Sequence, residues 1–307
     1  MSLEQYLQEL AHSDGPIVHA DLMELSGLVD EELEEFRRWW PDIPGDKRRA
    51  LLERLAAVAE DNAEMDFTSI LSYCLEDEDH LVRECAVIGL WECDDRNLVA
   101  PLIALLKSDP SEQVRAAAAT VLGKFGALAQ DGKLLSRYGE RIKELLLEVL
   151  EGDEPSIDVR RKSLEAAACF NTQRISELIS EAYDSTDLSI RTSALYAMGK
   201  TCDPEWLSTL LEATDDVDPA IRYEAALACG ELGEEDAVPH LIALVQDEDL
   251  QVQLSSISAL GLIGGYLAKQ VLQRCVRSDD DLIQEAAKSA LEALEVEEDP
   301  LGFNVQG

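Results

Sequence analysis

The sequence repeats itself at a constant interval over its second half. Four dipeptides follow one another at steps of 31 residues: Ile190-Arg191, Ile221-Arg222, Val252-Gln253 and Ile283-Gln284. A fixed period of this length with a helical apolar pattern is typical of a solenoid, in which each unit buries its apolar face only against its neighbours. The sequence therefore predicts an all-α chain of stacked helix pairs.

Each repeat contains the same residue types at the same positions of its inner helix. With the Arg position taken as zero, apolar residues recur at minus one and plus seven, and small residues at plus three and plus six, so one helical face forms the core. Five repeats carry arginine at position zero: Arg83, Arg115, Arg160, Arg191 and Arg222. About seven helix pairs of a right-handed α-α superhelix are predicted.

Two further positions carry polar or small residues with predicted structural roles. Aspartates at minus four are expected to cap the inner helices and to pair with an Arg of the same or the neighbouring repeat. They are Asp79, Asp187, Asp218, Asp249 and Asp280. Glycines at plus eight are expected to mark the end of the inner helix and its turn. They are Gly123, Gly199, Gly230 and Gly261.

The regular pattern predicts three segments. Residues 1–66 do not follow the repeat and are expected to form a helical N-terminal cap, with helices over 3–10, 21–40 and 46–61. The solenoid is predicted over 67–296. The tail, 297–307, is expected to be flexible, with a docking peptide anchored by Phe303 as the alternative.

One irregularity interrupts the array. Val159-Arg160 lies 45 residues after Val114-Arg115, which is 14 more than the period. The sequence predicts the extra residues over 127–140, as a surface excursion between an inner helix and its outer partner, with a functional loop as the alternative.

The charge restricts the possible partners. The formal net charge is -37, from 63 acidic and 26 basic residues. A field of this sign disfavours direct binding to nucleic acid or to an anionic membrane. Either the charge serves solubility, or it attracts a basic partner.

Three stretches show the repeat most completely: DPAIRYEAALACGELG at 218–233, DLSIRTSALYAMGK at 187–200 and SEQVRAAAATVLGKFG at 111–126. They resemble HEAT repeats of the short variety named after phycobilisome lyases. The resemblance covers about 67–294 and implies a HEAT- or armadillo-like scaffold that binds proteins. The short variety also occurs in bilin lyase subunits, in a di-iron deoxyhypusine hydroxylase and in DNA-glycosylase relatives. Gln253 and Gln284 depart from the family's Arg.

No catalytic, cofactor or metal site is predicted. The histidines at 12, 19, 80 and 240 have no ligand partner at a suitable spacing, and no phosphate-binding glycine loop or nucleophile motif occurs. The seven cysteines form no CxxC motif and are expected to be mostly buried free thiols, which fits a reducing cytoplasm. Neither a secretory signal nor a membrane span is expected.

The remaining candidate for function is the concave surface, to which the inner-helix positions plus one, plus two, plus five and plus nine should contribute. The predicted binding residues are Tyr196, Tyr223, Leu227 and Leu254, with Lys124, Arg161, Lys162 and Lys200. Exposed aromatics are good anchors, although the two tyrosines could instead only pack between repeats. The sequence favours a non-enzymatic adaptor that binds a protein or peptide. The alternatives are a bilin-lyase-like or other enzyme-accessory subunit, and an acidic shield or mimic for a basic nucleic-acid-binding protein.

Overall fold

The fold is taken from a computed structural model, which describes residues 2–12, 15, 17–62 and 64–298. These residues form helices and connections, with no β-strand among them. The chain divides into two compact units, residues 1–166 and 167–307, and each is described by itself. The predicted tail lies outside the described residues from 299 onward, as does Phe303.

The described residues of the N-terminal segment belong to the first unit and form four α-helices. They are α1 (Leu3–His12), α2 (His19–Leu22), α3 (Asp30–Trp39) and α4 (Gly45–Asp61). The single helix predicted over 21–40 is wrong, because Gly27 adopts a positive φ of 65° and breaks it. The new helix then begins where the Glu32 carboxylate accepts a hydrogen bond from the Val29 amide at 3.1 Å.

The rest of the first unit consists of alternating outer and inner helices. The outer helices are α5 (Thr68–Cys74), α7 (Val99–Ser108) and α9 (Ser136–Glu151), and the inner ones are α6 (His80–Gly89), α8 (Glu112–Gln130) and α10 (Ile157–Ala167). Inner helices α4, α6 and α8 pack in succession, and α5 and α7 pack against α6 and α8.

The second unit repeats this arrangement. Its outer helices are α11 (Gln173–Tyr183), α13 (Leu207–Ala213), α15 (Val238–Leu244) and α17 (Gly265–Cys275). Its inner helices are α12 (Leu188–Lys200), α14 (Pro219–Leu232), α16 (Leu250–Ile263) and α18 (Asp281–Glu298), and they pack in that order. The pairs from α5/α6 to α17/α18 are those that the period predicts, so the all-α repeat architecture is confirmed.

The extra residues near 127–140 do not form the predicted excursion. They lengthen the helices on both sides: α8 continues to Gln130 and has 19 residues, and α9 begins at Ser136 and has 16. Only a short connection remains. Its turn is closed by Gly132, which has a φ of 73°, and by the amides of Lys133 and Leu134, which both donate to the Leu128 carbonyl.

The glycines at plus eight lie inside the inner helices and do not mark their turns, so that prediction is wrong. A Cβ on Gly230 would lie 2.8 Å from the Ala259 Cα of the next inner helix, and Gly199 and Gly261 face Ala228 and Ala290 equally closely. Contacts this short leave no room for a side chain. The glycines therefore allow neighbouring inner helices to approach closely.

The aspartates at minus four cap their helices as predicted. Asp79 accepts a hydrogen bond from the Leu81 amide at 2.9 Å, and Asp218 accepts one from the Ala220 amide at 2.9 Å. The same contact recurs at Asp187, Asp249 and Asp280. The side chain satisfies amides that the first turn leaves without a helical partner.

The repeat arginines pair with a different carboxylate from the one predicted, namely the residue at minus six of the following repeat. Arg83 binds Asp109 through Nε–Oδ2 and Nη2–Oδ1 distances of 2.7 and 2.8 Å. Arg222 binds Asp247 in the same way, with both distances 2.8 Å. Single contacts join the equivalent pairs Arg48–Asp77, Arg115–Glu154 and Arg191–Asp216. These ion pairs are called rungs below.

The Arg222–Asp247 rung also fixes two turns, the one before α14, to which Arg222 belongs, and the one before α16. Arg222 Nη1 donates to the Asp216 and Val217 carbonyls, and Asp247 Oδ1 accepts from the Asp249 amide at 2.9 Å. The rung position is occupied by a serine in two repeats, at Ser185 and Ser278. A serine still accepts from the amide of the capping Asp, but it cannot pair with an arginine as an anion. Arg160, the repeat arginine before Ser185, is exposed.

Candidate binding groove

Two adjoining cavities lie on the inner helices of the first unit, each with a volume of about 460 Å³. We call them together the groove. The first is lined by Glu84, Ile88, Trp91, Gln113, Ala116, Ala117, Thr120, Val121, Asp158, Arg161 and Lys162. The second is lined by Arg49, Glu53, Ala56, Ala57, Glu60, Leu81, Glu84, Cys85 and Ile88. Glu84 and Ile88 belong to both, so the cavities are continuous along α4, α6, α8 and α10.

The repeat geometry explains which side chains line the groove. Positions plus one, plus two and plus five of α6 are Glu84, Cys85 and Ile88, and all three line it. In α8 the same positions hold Ala116, Ala117 and Thr120, whose small side chains leave the space open. These positions face away from the core stripe, because they lie on the other side of a helix with 3.6 residues per turn.

Trp91 lines the first of the two cavities. It occupies the plus-eight position of its repeat, where four other repeats have a glycine that contacts the next inner helix. Helix α6 ends at Gly89, and Trp91 follows in the turn with 44% of its surface exposed. Ile88 is 55% exposed. The groove therefore has two large apolar side chains that are accessible to solvent.

Lys124 holds the turn that carries Trp91. Its ammonium group donates to the carbonyls of Trp91 and Cys93 and forms an ion pair with Asp94 at 2.6 Å. These carbonyls follow the C-terminus of α6, where a cation also interacts favourably with the helix dipole. Lys124 thus has a structural role beside the binding role predicted for it.

Arg161 and Lys162, two other predicted binding residues, line the groove on α10. Arg161 Nε lies 2.7 Å from Asp158 Oδ1, and Lys162 Nζ lies 2.6 Å from Glu165 Oε2. Both positive charges are therefore locally compensated. In the described part of the chain, no ion pair compensates the carboxylates of Glu53, Glu60 and Glu84, which leaves the cavity between α4 and α6 with excess negative charge.

The remaining predicted residues lie in the second unit. Tyr196 is 39% exposed, and the ammonium group of Lys200 lies 5.6 Å from the centroid of its ring. Lys200 also pairs with Glu231 at 3.0 Å. Tyr223, Leu227 and Leu254 are half-buried on α14 and α16. These positions remain predictions, separate from the groove of the first unit.

The sequence prediction did not include Ile88, Trp91, Ala116 or Ala117. The repeat pattern contained the necessary signal. When positions plus one, plus two and plus five are taken from the inner helices of the first repeats, they include most of the residues that line the groove. Large aromatic side chains indicated the tyrosines of the second unit. The open space instead depends on the small side chains of Ala116 and Ala117, which attract no notice in a sequence.

The structure brings few chemically reactive groups together. Among the described residues, no group of three or more His, Cys, Asp or Glu side chains could hold a metal ion. Burial raises the pKa of the Cys229 thiol to about 12, which keeps it protonated and unreactive. Of the cysteines expected to be mostly buried, Cys74, Cys229 and Cys275 are buried, Cys85, Cys93 and Cys169 are half-buried, and Cys202 is exposed. Within the same residues, no helix is long and apolar enough to cross a bilayer.

Comparison with known proteins identifies the repeat. A family model described as HEAT repeats matches residues 68–140, 143–220 and 207–292. No curated protein matches the chain. Among solved structures, the complex of CpcE and CpcF of phycocyanin lyase from Nostoc sp. PCC7120 has a TM-score of 0.56 at 16% identity, covering 92% of this chain and 96% of that chain.

Two other similar structures have lower scores. Human deoxyhypusine hydroxylase in complex with glycerol has a TM-score of 0.38 at 18% identity, covering 95% of this chain and 97% of that chain. A designed armadillo repeat protein in complex with the peptide (KR)4 has a TM-score of 0.42 at 17% identity, covering 64% and 99%. At these sequence identities, structural similarity indicates a shared fold and not a shared function.

Proposed function

The chain belongs to the HEAT-repeat family, and from this premise we propose that it is a non-enzymatic scaffold that binds a protein or peptide along the exposed face of its inner helices. The observation that carries the proposal is the groove, in which the exposed side chains of Ile88 and Trp91 line one cavity together with the small side chains of Ala116 and Ala117. An accessible apolar surface between polar borders is typical of a protein-interaction site.

A bilin-lyase-like accessory role remains the alternative, because the CpcE and CpcF complex has the same kind of fold. The two functions differ in whether a tetrapyrrole would be bound to the purified protein. A scaffold purified from its native source shows no visible absorbance from a tetrapyrrole. A stoichiometric tetrapyrrole band in that material would contradict the scaffold proposal.

The proposal is tested by affinity capture from the native source with variants of the inner face. Two variants are compared with the wild type: Ile88→Ser with Trp91→Ala in the first unit, and Tyr196→Ala with Tyr223→Ala in the second. The matched control is Glu205→Gln with Glu235→Gln, which changes exposed side chains outside the inner helices. We expect at least one inner-face variant to lose interactors that the control retains. Identical sets of captured proteins in all variants would contradict the proposal.

A further inference from the structure

We infer that the groove binds a basic protein segment with two apolar anchor residues, one for each of its two cavities. This inference rests on the proposed scaffold function and specifies its site and the chemistry of its partner. The apolar anchors would lie against Ile88 and Trp91, and the basic residues beside the carboxylates of α4 and α6.

The first argument is the apolar surface of the groove. Ile88 projects between the two cavities and lines both, with Ala116 and Ala117 on one side and Ala56 and Ala57 on the other. A side chain seated in either cavity removes its own apolar area and part of Ile88 from water, which stabilises a complex by roughly 25 cal/mol per Å². Each cavity, with a volume of about 460 Å³, has room for a protruding apolar side chain.

The second argument is charge. Glu53, Glu60 and Glu84 line the cavity between α4 and α6, and only Arg49 lines it with the opposite sign. Burial, followed by the negative charges of Glu53 and Glu84, raises the pKa of the Cys85 thiol within this cavity. On the other side, Arg161 and Lys162 are compensated by Asp158 and Glu165. The groove therefore complements a lysine- or arginine-bearing segment, which the field of the chain also attracts.

The third argument is spacing. The two cavities lie in successive gaps between inner helices, and packed helices lie about 8–10 Å apart. Anchors at that separation are about three residues apart in an extended segment, which rises about 3.3 Å per residue. In a helical segment they are about two turns apart. Both patterns can be recognised in selected peptide sequences.

The test uses a random-peptide display library as the probe and the full chain as the target. The wild type is compared with the groove variant, Ile88→Ser with Trp91→Ala, and with a second-unit variant, Leu227→Ser with Tyr223→Ala. Ile88 and Trp91 are about half exposed, so the groove variant should keep its fold, which circular dichroism and thermal unfolding verify. We expect the wild type to enrich basic peptides with paired apolar residues at the spacings given above.

Calorimetry with the strongest selected peptide then measures each contribution. We expect binding to weaken about tenfold or more in the groove variant, which corresponds to about 1.4 kcal/mol, and to be unchanged in the second-unit variant. Glu60→Gln with Glu84→Gln should weaken binding and reduce its salt dependence. The charge-matched control, Glu205→Gln with Glu235→Gln, should do neither.

Three outcomes would overturn the inference: no enrichment by the wild type, enrichment of acidic or uncharged peptides, or equal binding by the groove variant. If binding is lost only in the second-unit variant, the groove is the wrong site while the scaffold function stands. The capture experiment decides the scaffold function separately, because it does not depend on a particular peptide chemistry.

Discussion

Helices α6 and α8 of the first unit and helices α14 and α16 of the second are equivalent pairs that use the same repeat positions differently. Both pairs are joined by a two-contact rung, Arg83–Asp109 in the first and Arg222–Asp247 in the second. In the second unit, Gly230 also brings Ala259 of α16 into close contact. In the repeat of α6, that position holds the exposed Trp91.

This comparison distinguishes the contact that joins neighbouring repeats, the rung, from a position, plus eight, that influences how much apolar surface is accessible for binding. The rung is common to both pairs and does not depend on the plus-eight residue. A glycine there allows the inner helices to pack closely, whereas a tryptophan leaves an apolar surface beside the small residues of α8. The plus-eight residue is therefore one difference between the two pairs, beside the small side chains of α8 that leave the groove open.

The largest effect is expected from breaking a rung. Arg83→Met and Arg222→Met each leave a buried carboxylate without its partner, since the Asp109 and Asp247 side chains are only 4% and 8% exposed. We expect each to lower the free energy of unfolding by about 3 kcal/mol in urea denaturation. The loss should be larger for Arg83, because α6 and α8 lack the glycine contact. Equal losses would mean that the glycine contact contributes little.

The matched control for these variants is Arg160→Met. Arg160 is exposed, and the residue at minus six of the following repeat is Ser185. We expect a change within about 0.5 kcal/mol, as is usual for a surface substitution. A loss as large as that of Arg83→Met would show that the repeat arginines stabilise the fold without their carboxylates.

The next largest effect is expected at the plus-eight position. Gly230→Val places side-chain atoms against the backbone of Ala259, which should cost about 2–3 kcal/mol through overpacking. Trp91→Val changes an exposed residue at the equivalent position and should cost less than about 1 kcal/mol. Thermal and urea unfolding of both variants measure the difference. Similar costs would contradict the contrast between the two helix pairs.

A smaller gain is expected from completing a rung that the second unit lacks. The Gln253 amide donates to the Asp247 carbonyl, and Ser278 Oγ accepts from the Asp280 amide at 3.1 Å. Gln253→Arg with Ser278→Asp recreates the residues of the Arg222–Asp247 rung at equivalent positions. In a double-mutant cycle we expect a favourable coupling of about 1 kcal/mol. No coupling would mean that the rung needs more than its two charged residues.

The smallest effect is a dependence of rung stability on pH. The hydrogen bond from Arg222 holds the pKa of Asp247 below its usual value. A lowered folded-state pKa stabilises the protein above the unfolded value of about 3.9, and that contribution is lost as the pH falls through the folded-state value. The stability difference between the wild type and Asp247→Asn should therefore shrink below pH ~4. Using the difference removes the general effect of neutralising the acidic surface, which both proteins share.

The sequence predicted the fold better than the site, and particular residues show why. The core stripe at minus one and plus seven and the caps at minus four depend on contacts within one helix or its nearest neighbours, so periodicity reveals them. The rung partner was missed because it lies 25 to 39 residues away from its arginine, two residues before the residue at minus four. Yet acidic residues recur at that position in five repeats, so the signal was available.

The site depends on features that have no local signal. Glycine is common at helix ends, so the sequence places Gly230 at a turn. Only the packed structure shows that a Cβ on Gly230 would collide with Ala259 of the next inner helix. The groove arises because Ala116 and Ala117 leave space between larger side chains of neighbouring helices. Such a space is a property of the packed array and cannot be derived from any one repeat.

Hydrogen exchange of the wild type with and without a selected peptide tests the central claim most directly. Binding in the groove should slow exchange in 80–91 and 112–121, which include the groove-lining residues of α6, of the turn after it and of α8, and leave 219–232 and 250–263 unchanged. Slower exchange confined to 219–232 and 250–263, or unchanged exchange throughout with the peptide bound, would contradict the claim that the groove of the first unit is the binding site.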